Sequence, residues 1–346
     1  MAVREMGQRS LVDALVYKRA GLNERLDKIA ALIDWSPVER LLAPLQPRRR
    51  GAPGYPALLL FKAVLLAQWN SLSDEAMEEM LADRMSFQRF CGLGLSQPAP
   101  DHSTLWRFRE ALVEEKLGDR LFEEINRQLD GHGLFLRQGT LIDATLVAAQ
   151  AAPPKPPKQA APPDPTFLAP GEQSANERPA SERPASKLVK STVDPDAGWT
   201  RRGKSLVFGY KGHIGVDRGS GLIRAQTFTS AEVNETEVAD SLVMGDEKAV
   251  YADKAYDTHA RKHDLKRRGI KYRIQQRPNK HHALTDRQTQ RNVLIGRVRG
   301  RVETVFAYLK RICRYRRVSY FGKARNALQF ALLCTAYNLF KATRPA

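Results

Sequence analysis

The sequence predicts an α/β protein, a mixed sheet flanked by helices and preceded by an all-helical region. Three observations carry this. Apolar residues recur at helical spacing up to about residue 132, period-two alternation takes over after Gly133, and beyond residue 199 short strands alternate with helices. The 346 residues suffice for two domains. Four segments are expected: a helical domain over 1–132, the first strand of an α/β domain over 133–149, a proline-rich insertion over 150–198, and the rest of the α/β domain over 199–346.

In the first segment, "LNERLDKIAALIDW" has helical spacing. "YPALLLFKAVLLAQWN" starts after Pro56 and is apolar on most faces, which predicts a buried helix. Its apolar run is interrupted by Lys62 and falls short of the roughly 20 residues that span a bilayer, so no membrane segment is expected. "SDEAMEEMLADRMSFQRFCGLG" reads as one helix, capped by Ser73 and stopped at Gly92 and Gly94. "PDHSTLWRFREALVEE" restarts with Asp101 or Ser103 as cap. Short helices joined by brief turns suit a helix-turn-helix module or a plain helical bundle. In the former, the helix carrying His102, Ser103, Thr104, Arg107 and Arg109 would meet DNA, through Arg107 and Arg109 above all.

"GTLIDATLVAA" is the first predicted strand, with Leu141, Asp143 and Thr145 on one face. Residues 150–198 then hold 11 of the 20 prolines and a tandem "ERPAS" repeat, a composition that predicts disorder. Order returns with a hairpin, strands 204–216 and 221–228 around "DRGSG". A helix capped by Asn234 follows, then a strand ending near Asp253, a helix closed by Gly269, the strand "IKYRIQ", a helix over about 297–315 and a final apolar helix. Three meandering strands followed by alternating helices and strands is the order of a ribonuclease H-like sheet.

The formal charge is +18. Residues 261–325 hold 21 of the 56 basic residues and three of the 38 acids, so the rest of the chain is neutral. A concentrated basic field points to a polyanion, most simply nucleic acid. Cys91, Cys313 and Cys334 have no metal-site or disulfide spacing and read as reduced core residues of a cytoplasmic protein.

Three acids occupy telling positions. Asp143 is mid-strand, where Asp is disfavoured. Asp253 ends a strand. Glu303 is the lone acid of "GRVRGRVETVFAYLKR". In the expected topology the first two are neighbours and the late helix brings Glu303 across. Three close carboxylates repel, and divalent cations relieve that. Oxygen-only ligation suits Mg²⁺, with Mn²⁺ as substitute, and two such ions serve in-line displacement at phosphorus. Read as one helix, the segment would put Arg299, Glu303 and Lys310 on one face, with both cations toward a phosphate backbone. Arg201, Arg202, Lys254, Arg316 and Arg317 are further candidates for DNA contact. Trp199 suits either stacking on an unpaired base or anchoring the insertion to the core.

"LIDATLV", "VYADKAYD" and "RVETVFAYLKR" resemble the three DDE segments of bacterial insertion-sequence transposases, in particular the group called insertion sequence five. "FGYKGHIGVD" resembles that group's second strand, and the stretch from "YPALLLFKAV" to "PDHSTLWRFR" its N-terminal domain. The resemblance implies a catalytic triad of Asp143, Asp253 and Glu303. Arg299 and Lys310 match the signature Arg and Lys, and Gly296 stands where relatives have tyrosine. It also implies double-stranded DNA as substrate (terminal inverted repeats and target), an N-terminal DNA-binding domain, and a dimer or larger synaptic assembly. Two rival readings are a ribonuclease H-like nuclease without strand transfer and a DNA-binding regulator with a relict catalytic domain.

Overall fold

The computed structural model describes residues 24–45, 54–153, 193–203, 205–278 and 283–344. Most of the expected insertion, residues 154–192, lies outside them.

The N-terminal helices are α1 (Glu24–Leu32), α2 (Trp35–Leu42), α3 (Ala57–Asn70), α4 (Asp74–Asp83), α5 (Met85–Cys91), α6 (His102–Glu114) and α7 (Leu117–Gly131). Their ends follow local chemistry. Ser73 Oγ accepts from Ala76 N, and Asp101 Oδ1 accepts from Thr104 N at 2.6 Å. The single helix expected from Ser73 to Gly92 is broken at Arg84, whose backbone is extended (φ −95°, ψ 107°). Gln88 fills the break, its Nε2 donating to the carbonyls of Leu81 and Ala82.

The sheet has six strands: β1 (Thr140–Ala148), β2 (Gly198–Arg202), β3 (Ser205–Asp217), β4 (Ile223–Ser230), β5 (Ala249–Ala252) and β6 (Lys271–Ile274). β3 runs antiparallel to β1 on one edge and to β4 on the other. β5 lies parallel to β1 and β6 parallel to β5. β5 beside β1 is the neighbourhood anticipated from the sequence. β2 is an addition: Gly209 of β3 pairs with Ala148 on one edge and Gly198 on the other, so β2 extends the line of β4. β2 begins within the last residues of the stretch read as disordered, where Asp194 is buried and accepts a hydrogen bond from Tyr210 Oη at 2.7 Å.

Between and after the strands lie α8 (Glu235–Val238), α9 (His259–Arg267), α10 (Asp286–Arg299), α11 (Val302–Arg311) and α12 (Lys323–Ala342). α10 has no counterpart in the sequence reading. The helix expected over 297–315 is instead the end of α10 and the whole of α11. Gly300 and Arg301 keep right-handed helical backbone, but the bonds tighten to i→i+3: Arg301 N to Val298 O, Glu303 N to Gly300 O and Thr304 N to Arg301 O.

α12 is buried nearly all round, and its two faces serve different cores. Leu328, Leu332, Ala336 and Leu339 join the N-terminal helices. Phe330, Leu333, Cys334 and Tyr337 join the sheet cluster of Leu141, Tyr210, Ile214 and Phe228. Gly212 of β3 permits this close approach, since a Cβ there would stand 2.6 Å from the Phe330 ring. The opposite face of the sheet buries Ile142, Val250, Ala252, Tyr256 and Leu265. All three cysteines are buried and free. Among the described residues no helix is long and apolar enough to cross a membrane.

Candidate active site

The β1–β5 ladder consists of Thr140↔Val250 and Leu141↔Tyr251 and then stops. The same register carried two residues further puts Asp253 opposite Asp143. The two acids therefore sit where β5 ends alongside the middle of β1. Asp253 caps the 3₁₀ turn Lys254–Tyr256, its Oδ1 accepting from Ala255 N at 3.1 Å.

Asp143 Oδ1 accepts from Ala144 N at 2.9 Å, and Oδ2 accepts from Arg299 Nη1 at 2.8 Å. The two side chains of this pair are 18% and 19% exposed. Burial pushes the Asp143 carboxyl up to about 6. Arg299 and the Ala144 N–H oppose that rise, while Glu235 and Asp253 add to it. A folded-state pKa above the unfolded value means stability present at low pH and lost as pH rises through the folded value. Without metal, the protein should lose on the order of 2 kcal/mol through this group between about pH 4 and 7. Asp143→Asn should remove that part of the loss. Thermal melts in chelator across this range test it: the melting-temperature gap between variant and wild type should widen in the variant's favour with pH.

Glu303 opens α11, where the helix dipole favours an acid. It is exposed, and it borders a pocket of about 460 Å³ with Leu146, Phe306, Arg202, Lys310, Arg311 and Arg316. Leu146 lies three residues beyond Asp143 on β1. Burial, then the nearby Arg202 and Arg316, hold the Lys310 ammonium below its usual pKa. It is Arg299, not Glu303, that contacts Asp143. Arg299 ends α10 and Glu303 opens α11, on either side of the tightened turn at Gly300 and Arg301; Glu303 and Lys310 line one pocket while Arg299 pairs with Asp143. Among the described residues no three His, Cys, Asp or Glu side chains stand close enough to hold a metal ion.

Of the other candidates, Arg107, Arg201, Arg202, Lys254, Arg316 and Arg317 are exposed. Arg109 is not. It is 4% exposed, forms a two-pronged pair with Asp74 at 2.8 and 2.6 Å, and lies over the Tyr320 ring. The DNA contact expected of it is corrected: α6 turns Arg109 inward, where it ties α4 and the segment before α12 together. Trp199 is half-buried against Phe208, ring centroids 5.2 Å apart. Glu235 and Tyr256 lie near the two aspartates without being foreseen from the sequence, and Lys211 pairs with Glu235. Only the Asn234 cap, which places Glu235 in a first turn, hinted at them.

Residues 135–339 match the family described as Transposase DDE domain, and residues 15–111 match Transposase domain (DUF772). The chain belongs to the DDE transposases. No solved structure matches it. The matches are to transposases as a class and do not single out insertion sequence five. A DDE transposase domain implies a ribonuclease H-like fold, in keeping with the curled mixed sheet flanked by helices. Membership indicates DNA transposition by a metal-dependent enzyme that cuts and joins DNA, generally as a multimer and with divalent ions. The oxygen donors of Asp143 and Asp253 fit such hard cations, and the buried cysteines lie outside this donor set.

Proposed function

We propose that this DDE transposase binds the terminal inverted repeats of an insertion sequence, cleaves at the element ends and joins the freed 3′-hydroxyls to target DNA. The observation that carries the reading is the placement of Asp143, within β1, opposite Asp253, just past the end of β5, inside a DDE domain. Asp143, Asp253 and Glu303 would hold two divalent ions, Mg²⁺ or Mn²⁺, which when bound activate the attacking oxygen and stabilise the leaving one. The chain's own groups do the positioning. Arg202, Lys310 and Arg316, gathered around the Glu303 pocket, take the phosphate backbone. Arg299, paired with Asp143, orients it. Both steps are direct displacements at phosphorus and need no covalent enzyme intermediate.

The N-terminal helices read the element ends, with Arg107 and the neighbouring Trp106, 51% exposed, on the outward face of α6. Two copies synapse two ends. Purified protein incubated with element-end DNA and Mg²⁺ tests the reading. Joined products support it, cuts alone indicate a nuclease, and a gel shift alone indicates a regulator.

The basic stretch supplies general affinity. Neutralising Arg316 and Arg317 should weaken binding to cognate and random duplexes alike, and flatten the salt dependence by about one to two units of slope. Replacing Arg107 should instead reduce preference for the cognate end. Binding titrations on both DNAs at several salt concentrations separate the two effects, and equal losses from both changes would sink the division of labour.

A further inference from the structure

Asp253 lies beyond the last pair of the β1–β5 ladder, so pairing with β1 does not fix it. Its turn is held instead by side chains from elsewhere in the fold. Three successive carbonyls, those of Lys254, Ala255 and Tyr256, each accept from a different element. Arg277 Nε, from the stretch after β6, donates to Lys254 O at 2.6 Å. Thr236 Oγ1 of α8 donates to Ala255 O at 3.0 Å. Arg261 Nη1 of α9 donates to Tyr256 O at 2.6 Å. The turn's own backbone bonds are Tyr256 N to Asp253 O at 3.0 Å and Asp257 N to Lys254 O at 3.3 Å.

The clamp closes on itself. Arg261 is 4% exposed; its Nη2 also donates to Thr236 O at 2.7 Å and its Nε to Asp240 Oδ1 at 2.6 Å. Thr236 is thus tied to the turn twice, directly through its hydroxyl and by way of Arg261 through its carbonyl. Asn234 Oδ1 accepts from Thr236 N at 3.1 Å, which sets the start of α8. The Tyr256 side chain, 1% exposed, belongs to the core cluster of Ala239, Leu242 and Leu265 and anchors the end of the turn.

We propose that Thr236, Arg261 and Arg277 are positioning residues for the reaction: together they hold the turn after β5 so that the Asp253 carboxylate stays opposite Asp143. The proposal rests on the reading of Asp253 as a catalytic acid. Displacing a reacting group by about 1 Å can cost about a hundredfold in rate, while loss of one half-buried hydrogen bond leaves the fold standing. Lys254, exposed on the same turn, is placed along with Asp253.

The test uses the full chain and measures local opening and chemistry separately. Thr236→Val removes the hydroxyl at nearly constant shape, and Thr236→Ser keeps it. Melting curves verify folding, and gel shifts set the concentration that saturates with element-end DNA. Thr236→Val should speed hydrogen exchange of the peptide spanning 253–257 about tenfold, with exchange in β1 and β3 unchanged. It should lower the single-turnover rate of Mg²⁺-dependent end cleavage at least about tenfold. Thr236→Ser should stay within about twofold of wild type in both. Arg277→Ala, at an exposed position, should move both quantities in the direction of Thr236→Val, and it serves if that variant does not fold. Wild-type cleavage in folded Thr236→Val and Arg277→Ala overturns the proposal. So does slow cleavage without faster exchange of the turn, or an equal loss in Thr236→Ser. Near wild-type cleavage by Asp253→Asn overturns instead the catalytic reading of Asp253 on which the proposal rests.

Discussion

Glu303→Gln should lower end cleavage and joining by orders of magnitude while leaving binding to element-end DNA intact. Asp143→Asn and Asp253→Asn should do the same. Glu303 is exposed at the start of α11 and is held by no ion pair among the described residues, so its replacement costs little fold stability. Its carboxylate stands among Arg202, Lys310, Arg311 and Arg316, a setting in which phosphate and metal together bring their own balancing charges. The double change Asp253→Asn with Glu303→Gln should be hardly worse than either alone, because groups that act as a unit are strongly non-additive. Gel shifts, melting curves and Mg²⁺-dependent cleavage on all four variants check this. Near wild-type cleavage by Glu303→Gln would reduce the residue to a counter-charge for the cations of its pocket.

Arg109→Ala should destabilise the protein by about 3 kcal/mol, because removing one partner strands a largely buried charge. Asp74, 20% exposed, would lose both of its hydrogen bonds, and Tyr320 would lose the guanidinium stacked on its ring. A loss of that size is a large part of the stability of an ordinary domain. Arg107→Ala, two residues earlier but exposed, should leave the melting temperature nearly unchanged and alter DNA preference instead. Denaturant melts of both variants, paired with binding to cognate and random ends, check the contrast. An unchanged midpoint for Arg109→Ala would show that the Asp74 pair contributes nothing.

What could be read from the chain was local. Ser73 and Asn234 cap the helices they were expected to cap, Asp101 of the two candidates caps α6, and Gly92 and Gly269 end their helices with positive φ (82° and 72°). The neighbourhood of β1 and β5 followed from alternation and connection rules, and Asp143 and Asp253 were legible because Asp is unexpected in or just after a buried strand. What was missed depends on distant partners. α10 buries only Ile295, so it shows no apolar stripe to mark it as a helix. The tightened turn after Arg299 falls at one glycine inside an otherwise helical run. Burial of Arg109 requires Asp74, 35 residues away, and nothing near Arg109 announces it. Glu235 reads as an ordinary first-turn acid until Lys211 and Arg261 are brought against its turn.

α12 has a consequence for how the chain comes into being. Its two faces complete both the N-terminal cluster and the sheet cluster, and it follows every other described element in sequence. During synthesis, neither cluster can close until this helix has left the ribosome. A stalled or prematurely terminated chain would present two open apolar surfaces at once, ready targets for chaperones and proteases. Transposase molecules competent to cut DNA are thereby restricted to those translated through α12, and partial translation yields waste rather than a free-standing DNA-binding fragment.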